Sequence, residues 1–252
     1  MSEKINPLVV DLSHWDPAHD YDAVRRDGIV AVIYKATEGQ GYQDPTYVDQ
    51  QKAAKQAGLK WGAYHFADGS NVTGQVANYM SFACPDPDEL IVLDWEDNPS
   101  GSAGKMSLSQ AKDWITQVEE ALHRPGECVI YGGNTLKEMV PDNDEFFGSR
   151  RLWLCQYGST PTLPGAWSEY WLWQFTDGDV GPTPHTVAGI GACDINSYRG
   201  TAAELIDEWT KTPAPGPTPN PEGASVYVNI STTGEVEVNI AINGEVVYGM
   251  ED

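Results

Sequence analysis

Eight short apolar runs recur along most of the chain, and several are apolar at consecutive rather than alternate positions. They read PLVVDLS, IVAVIYKATEG, KWGAYHFA, ELIVLDWE, CVIYGG, RLWLCQYGS, YWLWQFTDG and ACDINSY. A strand with one wet face alternates apolar and polar residues, whereas a strand covered on both faces has no need to. Helix-like stretches separate the early runs. Pro45–Ala57 stops at Gly58, and Gly74–Ala83 stops before Pro85. Ser107–Leu122 opens on a capping box, Ser107 with Gln110, and stops ahead of Pro125 and Gly126. The later runs follow one another with little helix between them. About eight strands with about five flanking helices predict an α/β fold, an irregular β/α barrel with a degenerate final third.

This barrel is expected over residues 1–210. The sequence changes character after Trp209, and residues 211–223 contain PAPGPTPNP, a semi-rigid linker. Within 224–252, SVYVNI, EVEVNIAI and EVVYG alternate with period two, and STTG and Asn243-Gly244 supply turns. This predicts a small all-β appendage, a three-stranded meander with one Val/Ile face. Roughly 30 residues of sheet do not bury such a face alone. The appendage is therefore expected to associate, giving a homo-oligomer, or to bind a target.

The formal net charge of −22 argues against nucleic acid and against an anionic membrane surface as partners. No apolar run approaches spanning length, so membrane insertion is not expected. The N-terminal MSEKINPLVV lacks a basic n-region and a long apolar h-region, which predicts synthesis in a cytoplasm without a signal peptide. Cys84, Cys128, Cys155 and Cys193 are widely spaced, form no CxxC pair and sit in or beside apolar segments. They are expected to be buried free thiols. The five histidines show no HExxH and no helical i,i+4 pair, so neither a metal nor another cofactor is expected. His65 reads as a core or supporting residue.

The carboxylates are the candidate chemistry. Asp11 follows PLVV, Asp94 and Glu96 follow LIVL, and Asp194 follows GAC. Tyr64 and Glu38 come late in their own strands. In barrels of parallel strands the active site gathers at the C-terminal ends. Asp94 and Glu96, two apart, point to one face, with Cα atoms roughly 6.5–7 Å apart at about 3.3 Å rise per residue. Cleavage of a glycoside needs one carboxyl as acid and one to stabilise or attack the cationic centre. Crowded carboxylates raise one another's pKa and keep one protonated. Glu96, with the longer side chain, is expected to be that acid. Trp15, Trp95, Trp153, Trp171 and Trp173 are candidates to line a sugar groove, at least half of them being packing residues instead.

DLSHW, YKATEGQGYQD, AGLKWGAYHF, LDWED and CDINSY, in this order from about Pro7 to Trp209, resemble the family-25 glycoside hydrolases, the Chalaropsis-type lysozymes common among phage endolysins. The resemblance implies a β/α barrel with an acidic groove that cleaves the β-1,4 bond from N-acetylmuramic acid to N-acetylglucosamine in bacterial peptidoglycan. By position, Glu96 resembles the family's general acid. Asp94 resembles the carboxylate beside it, acting as nucleophile or orienting the substrate's N-acetyl group. Asp11 and Asp194 resemble two further acids of the pocket. Tyr64, Trp15, Glu38 and Trp173 are carried as substrate-binding candidates, Glu38 leaning structural. Where Asp16 stands the family often has an amide, which bears on a local turn contact. The implied setting is a bacteriophage endolysin made in the host cytoplasm, reaching the wall after holin-type release, with a retaining mechanism. Two alternatives remain. A chitinase-like enzyme would want a further acid where Val92 stands, and a non-catalytic glycan-binding module would have no need of four clustered acids.

Overall fold

The computed structural model describes residues 4–98 and 103–211, together with the backbone of strands at 224–230, 236–242 and 245–248. The chain divides into two compact units, Met1–Pro213 and Ala214–Asp252.

The first unit is a closed barrel of eight strands: β1 (Pro7–Leu12), β2 (Ala31–Glu38), β3 (Lys60–Phe66), β4 (Leu90–Asp94), β5 (Val129–Gly132), β6 (Leu152–Cys155), β7 (Leu172–Thr176) and β8 (Asp194–Tyr198). Strands β1 to β7 run parallel in chain order, while β8 closes the ring antiparallel to both β7 and β1. A two-residue strand, Tyr42–Gln43, adds to the edge of β2.

The consecutive apolar runs follow from burial on both faces. Leu90 and Val92 belong to an inner cluster with Ala31, Ile33, Val129 and Trp153, while Ile91 and Leu93 belong to the outer layer under the helices. Each strand thus gives alternate residues to two cores. The floor of the barrel is closed by Trp171, Trp209, Tyr198 and Leu205, with the Trp209 indole N–H donating to the Trp61 carbonyl at 2.8 Å.

Seven helices are present among the described residues: α1 (Tyr21–Arg26), α2 (Tyr47–Gln56), α3 (Val72–Phe82), α4 (Leu108–Leu122), α5 (Asn134–Met139), α6 (Glu145–Gly148) and α7 (Ala202–Glu208). The capping box at Ser107 and Gln110 forms as expected. Helix α3 starts two residues earlier than its apolar pattern, because the Asn71 side chain accepts from the Gly74 N–H. No helix lies between β6, β7 and β8, which is the degenerate final third. The cysteine expectation needs correction: all four are free, and Cys128 and Cys193 are buried, but Cys155 is half-buried and Cys84 is exposed.

The second unit shows three antiparallel strands, β9 (Ala224–Ile230), β10 (Val236–Ile242) and β11 (Glu245–Tyr248), in that order across the sheet. The Pro-rich linker beyond Lys211 and the STTG and Asn243-Gly244 turns lie outside the described residues.

Candidate active site

The in-and-out alternation of the strands continues past their ends and builds a pocket at one mouth of the barrel. On β1, Val9 and Asp11 face inward and Val10 and Leu12 outward, and Ser13 turns inward again. On β4, Asp94 faces in, Trp95 out and Glu96 in. Trp95 anchors this segment: it is fully buried, its indole N–H donates to the Met106 carbonyl at 2.9 Å, and its ring stacks on Phe147. Asp94 and Glu96 are thereby both held toward the pocket, although the strand itself ends at Asp94.

Asp194 reaches the same mouth by a route the sequence did not suggest. It begins its strand rather than ending it. Because β8 runs antiparallel, its first residue lies at the end where β1 delivers its acid, and Asp194 pairs directly with Asp11 in register. The Asp11 carboxylate opposite it helps to keep the Asp194 proton in place.

Beneath Asp11 lies a fixed amide cradle. Gln174 Nε2 donates to both Asp11 oxygens, at 2.9 and 3.1 Å, and Asn196 Nδ2 donates at 2.7 Å. Each amide is oriented by its other end. Gln174 Oε1 accepts from the Tyr131 and Tyr157 hydroxyls, and Asn196 Oδ1 accepts from the Trp153 indole.

Burial dominates the electrostatics. It pushes Glu96 up to about 7, with the Asp11 carboxylate adding to it. Burial and then Glu96 hold Asp94 well above the usual carboxylate range, and one Asp94 oxygen is buried with no hydrogen-bond partner. Asp194 is pushed up to about 10 by burial and by Asp11. Asp11 rises only to about 6, because the two amides favour its ionised form against burial. Burial, with Asp94 and Asp11 nearby, keeps the Tyr64 phenol protonated. The site therefore presents proton donors and a carboxylate side by side near neutral pH.

The rim separates the remaining candidates. Tyr64 and Trp15 line the pocket, Trp15 with 83% of its surface exposed. Glu38 stands outside the lining, bonded to Lys35 at 2.6 Å and to Asn98 at 2.8 Å. Trp173 is not a groove residue: it is fully buried among Tyr170 and Phe175, with its N–H on the Gln156 carbonyl. Trp153 lines the pocket instead. Trp95 and Trp171 are packing. His65 is a neutral core residue whose pKa burial lowers to about 4, bridging Thr37 and Gln75.

Lys35, Gln174 and Asn196 escaped the sequence reading, and each left a signal. Gln174 is a polar residue inside an otherwise apolar run, and both it and Asn196 are in phase with inward-facing neighbours at i±2. Lys35 lies two residues beyond inward Ile33.

The family model described as glycosyl hydrolases family 25 matches residues 10–182. Lysozyme M1 of Streptomyces globisporus is 28% identical over 209 residues, covering 78% of this chain and 69% of that protein. The autolytic lysozyme of Clostridium acetobutylicum is 36% identical over 192 residues, covering 75% of this chain and 55% of its own. The crystal structure of the bacterial lysozyme from Streptomyces coelicolor superposes with a TM-score of 0.67 at 28% identity, covering 83% of this chain and 100% of that one.

Proposed function

The chain belongs to glycosyl hydrolases family 25, and we propose that it is a muramidase cutting the β-1,4 bond from N-acetylmuramic acid to N-acetylglucosamine in peptidoglycan, with retention of configuration. The observation that carries this reading is Glu96, an inward-facing carboxyl that burial keeps protonated up to about pH 7 beside three further acids. In this scheme Glu96 gives its proton to the glycosidic oxygen as the bond to C1 breaks. The N-acetyl carbonyl oxygen of the same muramic residue bonds to C1. Asp94 accepts the amide N–H and orients it, a role that suits a carboxyl too buried to be a ready nucleophile. Glu96, now a carboxylate, then takes a proton from the water that reopens C1, so two inversions give net retention. Asp11 and Asp194 hold the remaining charge of the pocket, and Trp15 offers an exposed ring at the rim on which a sugar face can stack.

The test is release of reducing ends from purified peptidoglycan by the wild type beside Glu96→Gln, which keeps the shape and loses the proton. A fall of about 10²–10⁴-fold is expected. Reducing N-acetylglucosamine ends, or wall binding without release, would overturn the muramidase reading. Proton NMR of the first-formed anomer tests retention, and an inverted anomer rejects it. We extend the proposal to a bacteriophage endolysin released through a holin-type lesion. A coding position remote from any lysis or prophage cluster overturns that extension.

A further inference from the structure

Among the described residues that line the acid pocket, one is a cation, Lys35. A lysine at a barrel mouth ordinarily extends its ammonium into water. Lys35 does not, and only 12% of its side chain is exposed. Its Nζ bonds Glu38 at 2.6 Å and lies 4.7 Å from the Phe66 ring centre and 5.3 Å from that of Tyr42. Phe66 pairs in register with Asp94, and Lys35 itself pairs with Tyr64, so the cation is held alongside the strand that carries the reacting acids.

The backbone is shaped for this clamp. Residues three apart on a regular strand point to opposite faces. The register of β2 against β3 shifts between Lys35 and Thr37, a bulge that inserts one residue at Ala36. Ala36 packs into the outer core and the Thr37 hydroxyl bonds His65, while Lys35 and Glu38 meet on the pocket side. The second Glu38 oxygen accepts from Asn98, two residues beyond Glu96. The clamp thus ties the end of β2 to the segment that presents the acid.

We propose that Lys35, clamped by Glu38 between Tyr42 and Phe66, is a positioning residue that sets how protons are distributed over Asp94 and Glu96. The inference rests on the hydrolase reading above. The titratable groups that line the pocket with this cation are Asp11 from β1, Tyr64 from β3, Asp94 and Glu96 from β4 and beyond, Tyr131 from β5 and Asp194 from β8; Glu38 and Tyr42 lie against it, and the buried His65 of β3 feels its charge. Lys35 opposes the burial that raises Asp94 and Glu96, and Glu38 acts in the opposite sense on Asp94. The pair is a balance: removing the cation favours the protonated carboxyls, and removing the anion favours the ionised ones.

Lys35→Met, Lys35→Arg and Glu38→Gln test this by two readouts. One is the pH profile of kcat/KM for reducing-end release. The other is carbon-13 NMR titration of the side-chain carboxyls, which needs no turnover. Lys35→Met is expected to move both limbs of the profile, and the Asp94 and Glu96 titrations, up by about one pH unit. Lys35→Arg keeps the wild-type positions, and Glu38→Gln moves them down. Opposite shifts from two members of one ion pair cannot come from a general loosening, and Glu38→Gln carries the test alone should Lys35→Met fail to fold. Profiles and titrations that superimpose on the wild type would overturn the assignment. A wild type that releases no reducing ends while the titrations shift as stated overturns the hydrolase reading and leaves the role of Lys35 standing.

Discussion

Glu96→Gln is expected to make the protein harder to melt at pH 8 while it destroys activity. A carboxyl that binds its proton more tightly in the folded chain contributes stability that is fully present below its unfolded pKa. That stability is lost as pH rises through the folded value. Glu96 moves from its ordinary 4.5 to about 7 on folding, which at about 1.4 kcal/mol per pH unit is about 3 kcal/mol. The wild type loses this between about pH 4.5 and 7, and above that carries an unfavourable buried charge. Glutamine has the same shape and no charge to bury, so the variant avoids the loss. For a chain of this size about 3 kcal/mol raises Tm by roughly 6 °C or more. Thermal melts of both proteins at pH 4, 6 and 8, followed by circular dichroism, read the effect directly. The curves should coincide at pH 4 and separate progressively toward pH 8, with the variant above. A variant that melts at or below the wild type at pH 8 would refute the reasoning, because Glu96 would then not be buried at a cost.

Gln174→Leu removes the Nε2 donor to both Asp11 oxygens and leaves the Tyr131 hydroxyl without its acceptor; unfolding in urea is expected to show a loss of about 2–4 kcal/mol. Trp15→Ala should raise KM with kcat and Tm nearly unchanged, since the ring is exposed, whereas Trp173→Ala should cost about 3–5 kcal/mol of stability. Steady-state kinetics and melts on the two variants distinguish the rim from the core. We propose that the C-terminal meander self-associates, because a sheet of roughly 30 residues does not bury its period-two Val/Ile face alone. Light scattering should show a lower mass per particle, beyond the deleted residues, for protein ending at Pro213; an unchanged subunit number refutes the assignment.

The barrel was legible in the sequence because strands buried on both faces leave long apolar runs, and the acids at their ends stood out against that background. Asp11, Asp94 and Glu96 were placed by the parallel-strand rule alone. The sequence pattern puts Asp194 at the end of a strand through GAC, whereas it begins β8. Strand direction is a tertiary fact: nothing within six residues says which way the last strand of a ring is threaded. Trp173 shows the other kind of failure. In YWLWQFTDG the inward set includes Leu172 and Gln174, while Trp173 and Phe175 go to the outer core. A slip of one residue exchanges the two faces, and aromatic size gave no indication of phase. The polar residue in the run did, because a glutamine that is 1% exposed must face partners able to satisfy it.

The reversed strand and the sealed floor together account for the chemistry of the mouth. Burial is the largest cause of the raised proton affinity of Asp11, Asp94, Glu96 and Asp194 alike. Burial needs a barrel that water enters from one end only. Trp171, Trp209, Tyr198 and Leu205 close the other end, and the Trp209 indole is pinned to the backbone of β3. An all-parallel ring would bring only the C-terminal ends of its strands to the mouth. Running β8 backwards brings an N-terminal residue there and sets Asp194 directly across from Asp11, whose charge helps hold the Asp194 proton. Asp11 is nevertheless readily ionised, at about 6 against about 7 for Glu96 and about 10 for Asp194, because Asn196 and Gln174 donate to its carboxylate. One acid of the pocket is thus set apart as an anion by its amides, and Glu96 keeps its proton for transfer. The separation of roles arises from which strand ends meet, and from which of them carries an amide beneath it.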